Sequence, residues 1–155
     1  MCGRYSLTSP PEAVRRLFGL DVTPNWPARY NIAPTQLAPV VRLAEDGGKR
    51  ELVMLRWGLV PFWAKDLAIG AKLINARADG VAEKPAFRSA FRRRRCLVPA
   101  DGFYEWQGIA KAKQPMRIVV GDGEPFAFAG LWERWDKGPD GAVESFTIIT
   151  TDAAA

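Results

Sequence analysis

Leu37-Ala38-Pro39-Val40-Val41-Arg42-Leu43, Glu45-Asp46-Gly47-Gly48 and Glu51-Leu52-Val53-Met54-Leu55-Arg56-Trp57-Gly58-Leu59-Val60 follow one another in the chain. Two apolar runs flank a turn signal, and the unit reads as two strands over Leu37–Leu43 and Glu51–Val60. Similar short runs recur at Cys96–Pro99, Phe103–Trp106, Met116–Val120, Phe126–Trp132 and Phe146–Thr151, with turns such as Asp122-Gly123 and Asp140-Gly141 between the later ones. Helices are few. Ser9-Pro10-Pro11-Glu12 reads as a start in which Ser9 caps and Glu12 closes a capping box; Ala13, Val14, Leu17 and Phe18 share a face, and Gly19 stops the helix. Pro85–Arg94 suits a second, with an apolar stripe of Ala86, Phe87, Ala90 and Phe91. Asp21–Thr35 reads as irregular and Pro61–Gly70 as a loop carrying Phe62 and Trp63. Nothing alternates as in a doubly wound fold. The expectation is an α+β fold with a mostly antiparallel, barrel-like β core and a few short helices.

The 155 residues suit one domain spanning 1–155 that buries roughly two-thirds of its unfolded surface. Hydrophobic content of 48% and charged content of 25% are ordinary for a globular protein. No apolar stretch approaches the roughly 20 residues of a membrane span, and the amino terminus lacks a signal-peptide pattern. Cys2 and Cys96 are too few for a disulfide framework, which points to a reducing cytosol. With no histidine and two distant cysteines, neither a zinc site nor any cofactor is expected. The last apolar run stops four residues before Ala155, so the chain is expected to be truncated after a core strand.

The net charge is +5. Lys84, Arg88, Arg92, Arg93, Arg94 and Arg95 fall in one acid-free segment, the electrostatic footprint of a polyanion partner such as nucleic acid. The alternative is a solvated helix end whose arginines oppose the helix dipole.

Met1-Cys2-Gly3-Arg4 opens the chain, and removal of the methionine would leave a terminal cysteine. Its thiol and α-amine, with ordinary pKa values of about 8.5 and about 7.7–8.0, both retain reactive fractions near pH 7. Such a 1,2-aminothiol can condense with an aldehyde to an imine and close to a thiazolidine. Alternatively, the thiol attacks an acyl group with the amine as base, as in amidotransferases that also begin Met-Cys-Gly. A chance cysteine at a frayed end is the plainest alternative.

Three further stretches carry candidate chemistry. In Lys72-Leu73-Ile74-Asn75-Ala76-Arg77-Ala78, an extended backbone puts Asn75 and Arg77 on one face, suited to a phosphate or oxyanion; otherwise Asn75 ties down a loop. In Pro99-Ala100-Asp101-Gly102-Phe103-Tyr104-Glu105-Trp106, Glu105 sits among aromatics that strip its solvation, which suits acid–base work; otherwise it pairs with an arginine at a rim. Trp57-Gly58-Leu59-Val60-Pro61-Phe62-Trp63 places Trp57 in a core and Trp63 in a loop, where it can stack on a base.

In order along the chain, Cys2-Gly3-Arg4-Tyr5, Arg29-Tyr30-Asn31-Ile32-Ala33-Pro34, Trp57-Gly58-Leu59-Val60-Pro61, Leu73-Ile74-Asn75-Ala76-Arg77-Ala78, Lys84-Pro85-Ala86-Phe87-Arg88 and Cys96–Trp106 resemble the SOS-response-associated peptidase family. The resemblance runs from residue 2 to at least Thr151. It implies a monomer that senses abasic sites in single-stranded DNA and crosslinks to them, with peptidase and abasic-site lyase activities attached to the same site. Autoprocessing that removes Met1, or non-covalent single-strand binding, is the alternative. It also implies a cytoplasmic protein that joins the nucleoid when bound to DNA, and DNA damage as its setting. Carried over residue by residue, Cys2, Asn75 and Glu105 are catalytic, while Arg4, Asn31, Trp63, Arg77, Phe87, Arg88 and Trp106 contact DNA. The family's active-site histidine falls just beyond the last strand; this sequence has none.

Overall fold

A computed structural model describes residues 2–108 and 110–153. In chain order the elements are β1 (Tyr5–Leu7), α1 (Pro11–Phe18), β2 (Arg29–Ile32), β3 (Leu37–Leu43), β4 (Arg50–Trp57), β5 (Asn75–Arg77), α2 (Arg88–Arg93), β6 (Arg95–Ala100), β7 (Gly102–Gln107), β8 (Gln114–Ile118), β9 (Phe126–Trp135) and β10 (Val143–Thr150). A 3₁₀ turn at Leu67–Lys72 precedes β5. The expected α+β class with a barrel-like core is what the chain adopts.

The hairpin is the seed of the barrel. β3 and β4 pair antiparallel from Leu37 opposite Arg56 to Leu43 opposite Arg50. β6 joins β3, β9 joins β6 and β10 joins β9, all antiparallel. The ring closes where β10 runs parallel to β4, with Ser145 opposite Arg56 and Phe146 opposite Trp57. Where β4 leaves that edge of β10, β5 takes it over, setting Asn75 opposite Ile148 and Arg77 opposite Thr150. A second antiparallel sheet, ordered β2-β1-β7-β8, packs beside the barrel. Trp57 fills the interior between Tyr5 (edge-on, 5.1 Å) and Phe146 (stacked, 6.3 Å), and its Nε1 donates to Ile74 O at 3.0 Å. Offset and edge contacts of this kind add to area burial.

Several boundaries differ from expectation. β4 stops at Trp57 rather than Val60 because Gly58 turns to φ +125, and a Cβ there would lie 2.5 Å from Gly70 O. A Cβ on Gly70 would meet Gly58 O at 2.6 Å, so these two glycines allow the loop carrying Trp63 to lie against β4. Ser9 does not cap α1: its amide and hydroxyl donate to Asp101 Oδ2 at 2.7 and 2.9 Å, and Pro10 holds the cap position. Glu12 is held by Arg15 and Thr23 instead of closing a capping box. Leu17 is exposed, leaving Val14 and Phe18 as the buried face. The stretch expected to be irregular contains β2, and the second helix begins at Arg88 after a turn. Among the described residues no helix is long and apolar enough to cross a membrane.

Candidate active site

Backbone bonds of the second sheet bring the amino terminus to Glu105. Tyr5 lies opposite Phe103 and Ser6 opposite Gly102, and Tyr104 N donates to Arg4 O at 3.0 Å. Continuing this register runs residues 2–4 alongside 104–106. The alignment is pinned from below by Asp101, which is 1% exposed at the bend between β6 and β7. Its Oδ2 accepts from the Thr8 amide (2.6 Å), the Thr8 hydroxyl (2.9 Å) and both Ser9 donors; its Oδ1 accepts from Ser6 Oγ (2.7 Å) and Arg117 (3.2 Å). Burial alone would raise the carboxyl's pKa, but the bonds from Ser6, Thr8 and Ser9 together overcome it and hold the group below the usual carboxylate range.

Above this anchor, Cys2, Phe103, Glu105, Phe128, Ile148 and Thr150 line a mostly apolar pocket of about 480 Å³ at one mouth of the barrel. Cys2 is 5% exposed, and its thiol donates to Arg4 O at 3.9 Å. Burial is the main cause that pushes this thiol up to about 12, and the nearby Glu105 charge pushes the same way. Glu105 is half-buried on β7, opposite Met116. Asn75 stands beside Ile148 on the adjoining strand; its Nδ2 donates to Ile74 O at 3.0 Å, while its Oδ1 is buried with no hydrogen-bond partner among the described residues. Thr150 Oγ1 is likewise buried and unpartnered among them. A pocket that offers a thiol, a carboxylate and the idle hydroxyl of Thr150, with the amide of Asn75 on the strand beside it, can position a small polar group and move a proton on it.

The structure thus brings together Cys2, Glu105 and, one strand away, Asn75. The alternation expected of Asn75 and Arg77 holds: Ala76 is buried against Leu59 and Phe87, leaving its two neighbours on the opposite face. Arg77 is bound by Asp79 (3.1 Å) and Asp152 (2.9 Å), which raise its pKa further. Arg4 donates to Asn31 Oδ1 at 3.2 Å, coupling the two expected DNA positions. Trp63, 42% exposed, donates from Nε1 to Pro85 O at 3.3 Å, and Trp106 is 50% exposed on β7; neither lines the pocket. Arg88 is exposed on α2. Phe87, expected as a DNA contact, is 4% exposed and packs with Leu59, Ala76 and Leu131.

Sequence reasoning missed Thr150 and the structural part of Asp101. The signal for Thr150 is a hydroxyl in the period-two series Phe146, Ile148, Thr150, where a core residue belongs. Asp101 carried none, since Ser6, Thr8 and Ser9, which supply most of its donors, lie more than 90 positions away. Among the described residues no three His, Cys, Asp or Glu side chains converge as a metal site would require.

The family model described as SOS response associated peptidase (SRAP) matches residues 1–155. Abasic site processing protein YoqW of Bacillus subtilis (strain 168) is 43% identical over 155 residues, covering 97% of this chain and 68% of that protein. Abasic site processing protein HMCES of Xenopus tropicalis is 31% identical over 197 residues, covering 99% and 58%. A crystal structure of a protein from Bacteroides thetaiotaomicron superposes with a TM-score of 0.82 at 32% identity, covering 97% of this chain and 68% of that one.

Proposed function

The chain belongs to the SOS response associated peptidase family, and we propose that it processes abasic sites in single-stranded DNA by forming a covalent adduct through Cys2. The observation that carries this reading is the shared pocket of Cys2 and Glu105, a nucleophile and a carboxylate at one barrel mouth. Support also comes from relatives named as abasic site processing proteins.

The chemistry starts with loss of Met1, which frees the Cys2 α-amine. An abasic deoxyribose opens to an aldehyde, and the neutral amine attacks its carbon to give a carbinolamine. Loss of one water leaves an imine. The Cys2 sulfur then adds to the imine carbon, its thiol proton passing to the imine nitrogen, and closes a five-membered thiazolidine. The net change is condensation with release of one water, with no oxidant or reductant. The amine acts first because the sulfur can close the five-membered ring only on the imine carbon that the amine has made. Glu105 delivers a proton to the departing hydroxyl and recovers it afterwards. Asn75 Oδ1 and Thr150 Oγ1 are idle acceptors for a sugar hydroxyl. Arg4 and Arg77 bind flanking phosphates, Arg77 exchanging its aspartate partners for them.

A denaturing gel of the protein with an abasic single strand tests the reading. A denaturant-resistant band that needs both Met1 removal and the abasic site supports it. Non-covalent retention with no such band overturns it.

A further inference from the structure

Resting on the reading of the chain as a single-strand DNA protein, we infer that Arg88, Arg92, Arg93 and Arg95 form a second DNA contact, set apart from the Cys2 pocket. It takes the phosphodiester backbone of the strand that flanks the abasic nucleotide.

The arginines of this fold divide into two kinds. Most of those with polar partners are neutralised: Arg15 by Glu12 (2.6 Å), Arg42 by Glu51 and Glu144 (both 2.9 Å), Arg117 by Asp101 (3.2 Å) and Arg134 by Asp136 (2.9 Å). Within the basic run itself, Arg94 turns inward to the buried Glu133 at 2.9 Å. Its neighbours do not. Arg88, Arg92, Arg93 and Arg95 are exposed and form no ion pair with a carboxylate among the described residues. Arg95 is nevertheless fixed in place, its Nε donating to Phe91 O at 2.6 Å and its guanidinium lying 4.3 Å over the Phe91 ring. Arg92 and Arg93 sit in the last turn of α2, where they oppose the helix dipole, but like charges held side by side without a carboxylate also repel one another, and an anion relieves that repulsion.

Shape supports the same assignment. Arg88, Arg92 and Arg93 line a depression of about 410 Å³. Arg92 and Arg93 continue with Arg95 into another of about 200 Å³, floored by Leu43 and Trp132. Sharing two arginines, the depressions form one track, the geometry needed by a chain of phosphates rather than a single anion.

The register separates this track from the pocket. On β6, Arg95 lies opposite Leu131 and Val98 opposite the pocket residue Phe128. Three residues of strand are roughly 10 Å. A strand threaded through the pocket therefore reaches the arginines within a few nucleotides.

The test uses an intact, fluorescently labelled 20-nucleotide single strand without abasic sites, so its outcome is independent of adduct chemistry. Affinity is read by anisotropy across a salt series for the wild type, an Arg92→Ala/Arg93→Ala variant and an Arg92→Lys/Arg93→Lys variant. Loss of two phosphate contacts lowers the slope of log affinity against log salt by about 1.4, at about 0.7 per phosphate on single strands. The lysine variant keeps the wild-type slope. An unchanged slope in the alanine variant overturns the inference, as does an equal loss in the lysine variant. A slope change on duplex DNA but not on the single strand also overturns it. Failure to form an adduct with an abasic strand bears on the proposed function alone.

Discussion

Replacing Asp101 with asparagine removes one charge and almost no volume, at the point that fixes Cys2 beside Glu105. Four donors from Thr8 and Ser9 converge on Oδ2 at 2.6–2.9 Å. An asparagine satisfies them best by placing its carbonyl there, which turns its NH₂ group toward Ser6 Oγ and Arg117. Ser6 can rotate its hydroxyl toward Gly102 O, already 3.4 Å away. Arg117 loses its ion-pair partner, though its side chain is 39% exposed and can reach water. The backbone amides of Thr8 and Ser9 exchange charge-assisted bonds, about 1.5–3 kcal/mol each, for neutral ones of about 0.5–1.5. The expected loss is therefore about 2–4 kcal/mol. Asp101→Ala leaves those amides without their acceptor and costs about 3–5 kcal/mol, a large part of a typical 5–15.

The pH dependence is a second readout. The folded carboxyl sits below its unfolded value of about 3.9, so between the two values the unfolded chain binds more protons. Its contribution is fully present above that value and is lost as the pH falls through the folded pKa. Urea unfolding followed by tryptophan fluorescence at pH 7, 5 and 3 measures both effects. The gap between wild type and Asp101→Asn stays constant from pH 7 to 5 and narrows by pH 3. A variant within 0.5 kcal/mol of wild type at pH 7, on the scale at which surface substitutions fall, refutes the anchor. So does a gap that ignores acid.

Three further outcomes are expected. Glu105→Gln slows adduct formation about 10²–10⁴-fold with little change in binding of intact DNA, measured by single-turnover gel assays. Gly70→Ala forces the 2.6 Å approach to Gly58 O apart and lowers the thermal midpoint, whereas Gly47→Ala, with open space around its Cβ and only its φ of +74 to strain, costs less. Cys2 and Cys96, both buried and pushed up to about 12, resist alkylation by iodoacetamide at pH 8 in the folded protein and react rapidly in urea.

What could be read from the sequence follows local periodicity. The β3–β4 hairpin, β6, β7, β9 and the end of α1 at Gly19 carry alternation, turn residues or a glycine stop, and all were legible. β2 was not, because Arg29, Tyr30 and Asn31 are not buried and only Ile32 reaches the core, so its pairing with β1 leaves no apolar pattern. The parallel closure of β10 on β4 is set by residues almost ninety positions apart and has no turn to announce it. At the candidate site, the motifs singled out Cys2, Asn75 and Glu105, and the register of β1 on β7 explains how Cys2 and Glu105 come to line one pocket. The burial of Phe87 was not legible, because an apolar residue in a motif looks the same whether it serves the core or a ligand; its packing with Leu59, Ala76 and Leu131 appears only in the fold.

The most direct test of the central claim is the intact mass of the species formed with an abasic single-stranded oligonucleotide, without reductant. The expected mass is the sum of the Met1-free protein and the oligonucleotide less one water. Cys2→Ser is expected to give a stable adduct only when borohydride reduces the imine, at that variant's condensation mass plus two hydrogens. A stable, unreduced adduct with Cys2→Ser, or an adduct that retains Met1, would contradict the claim.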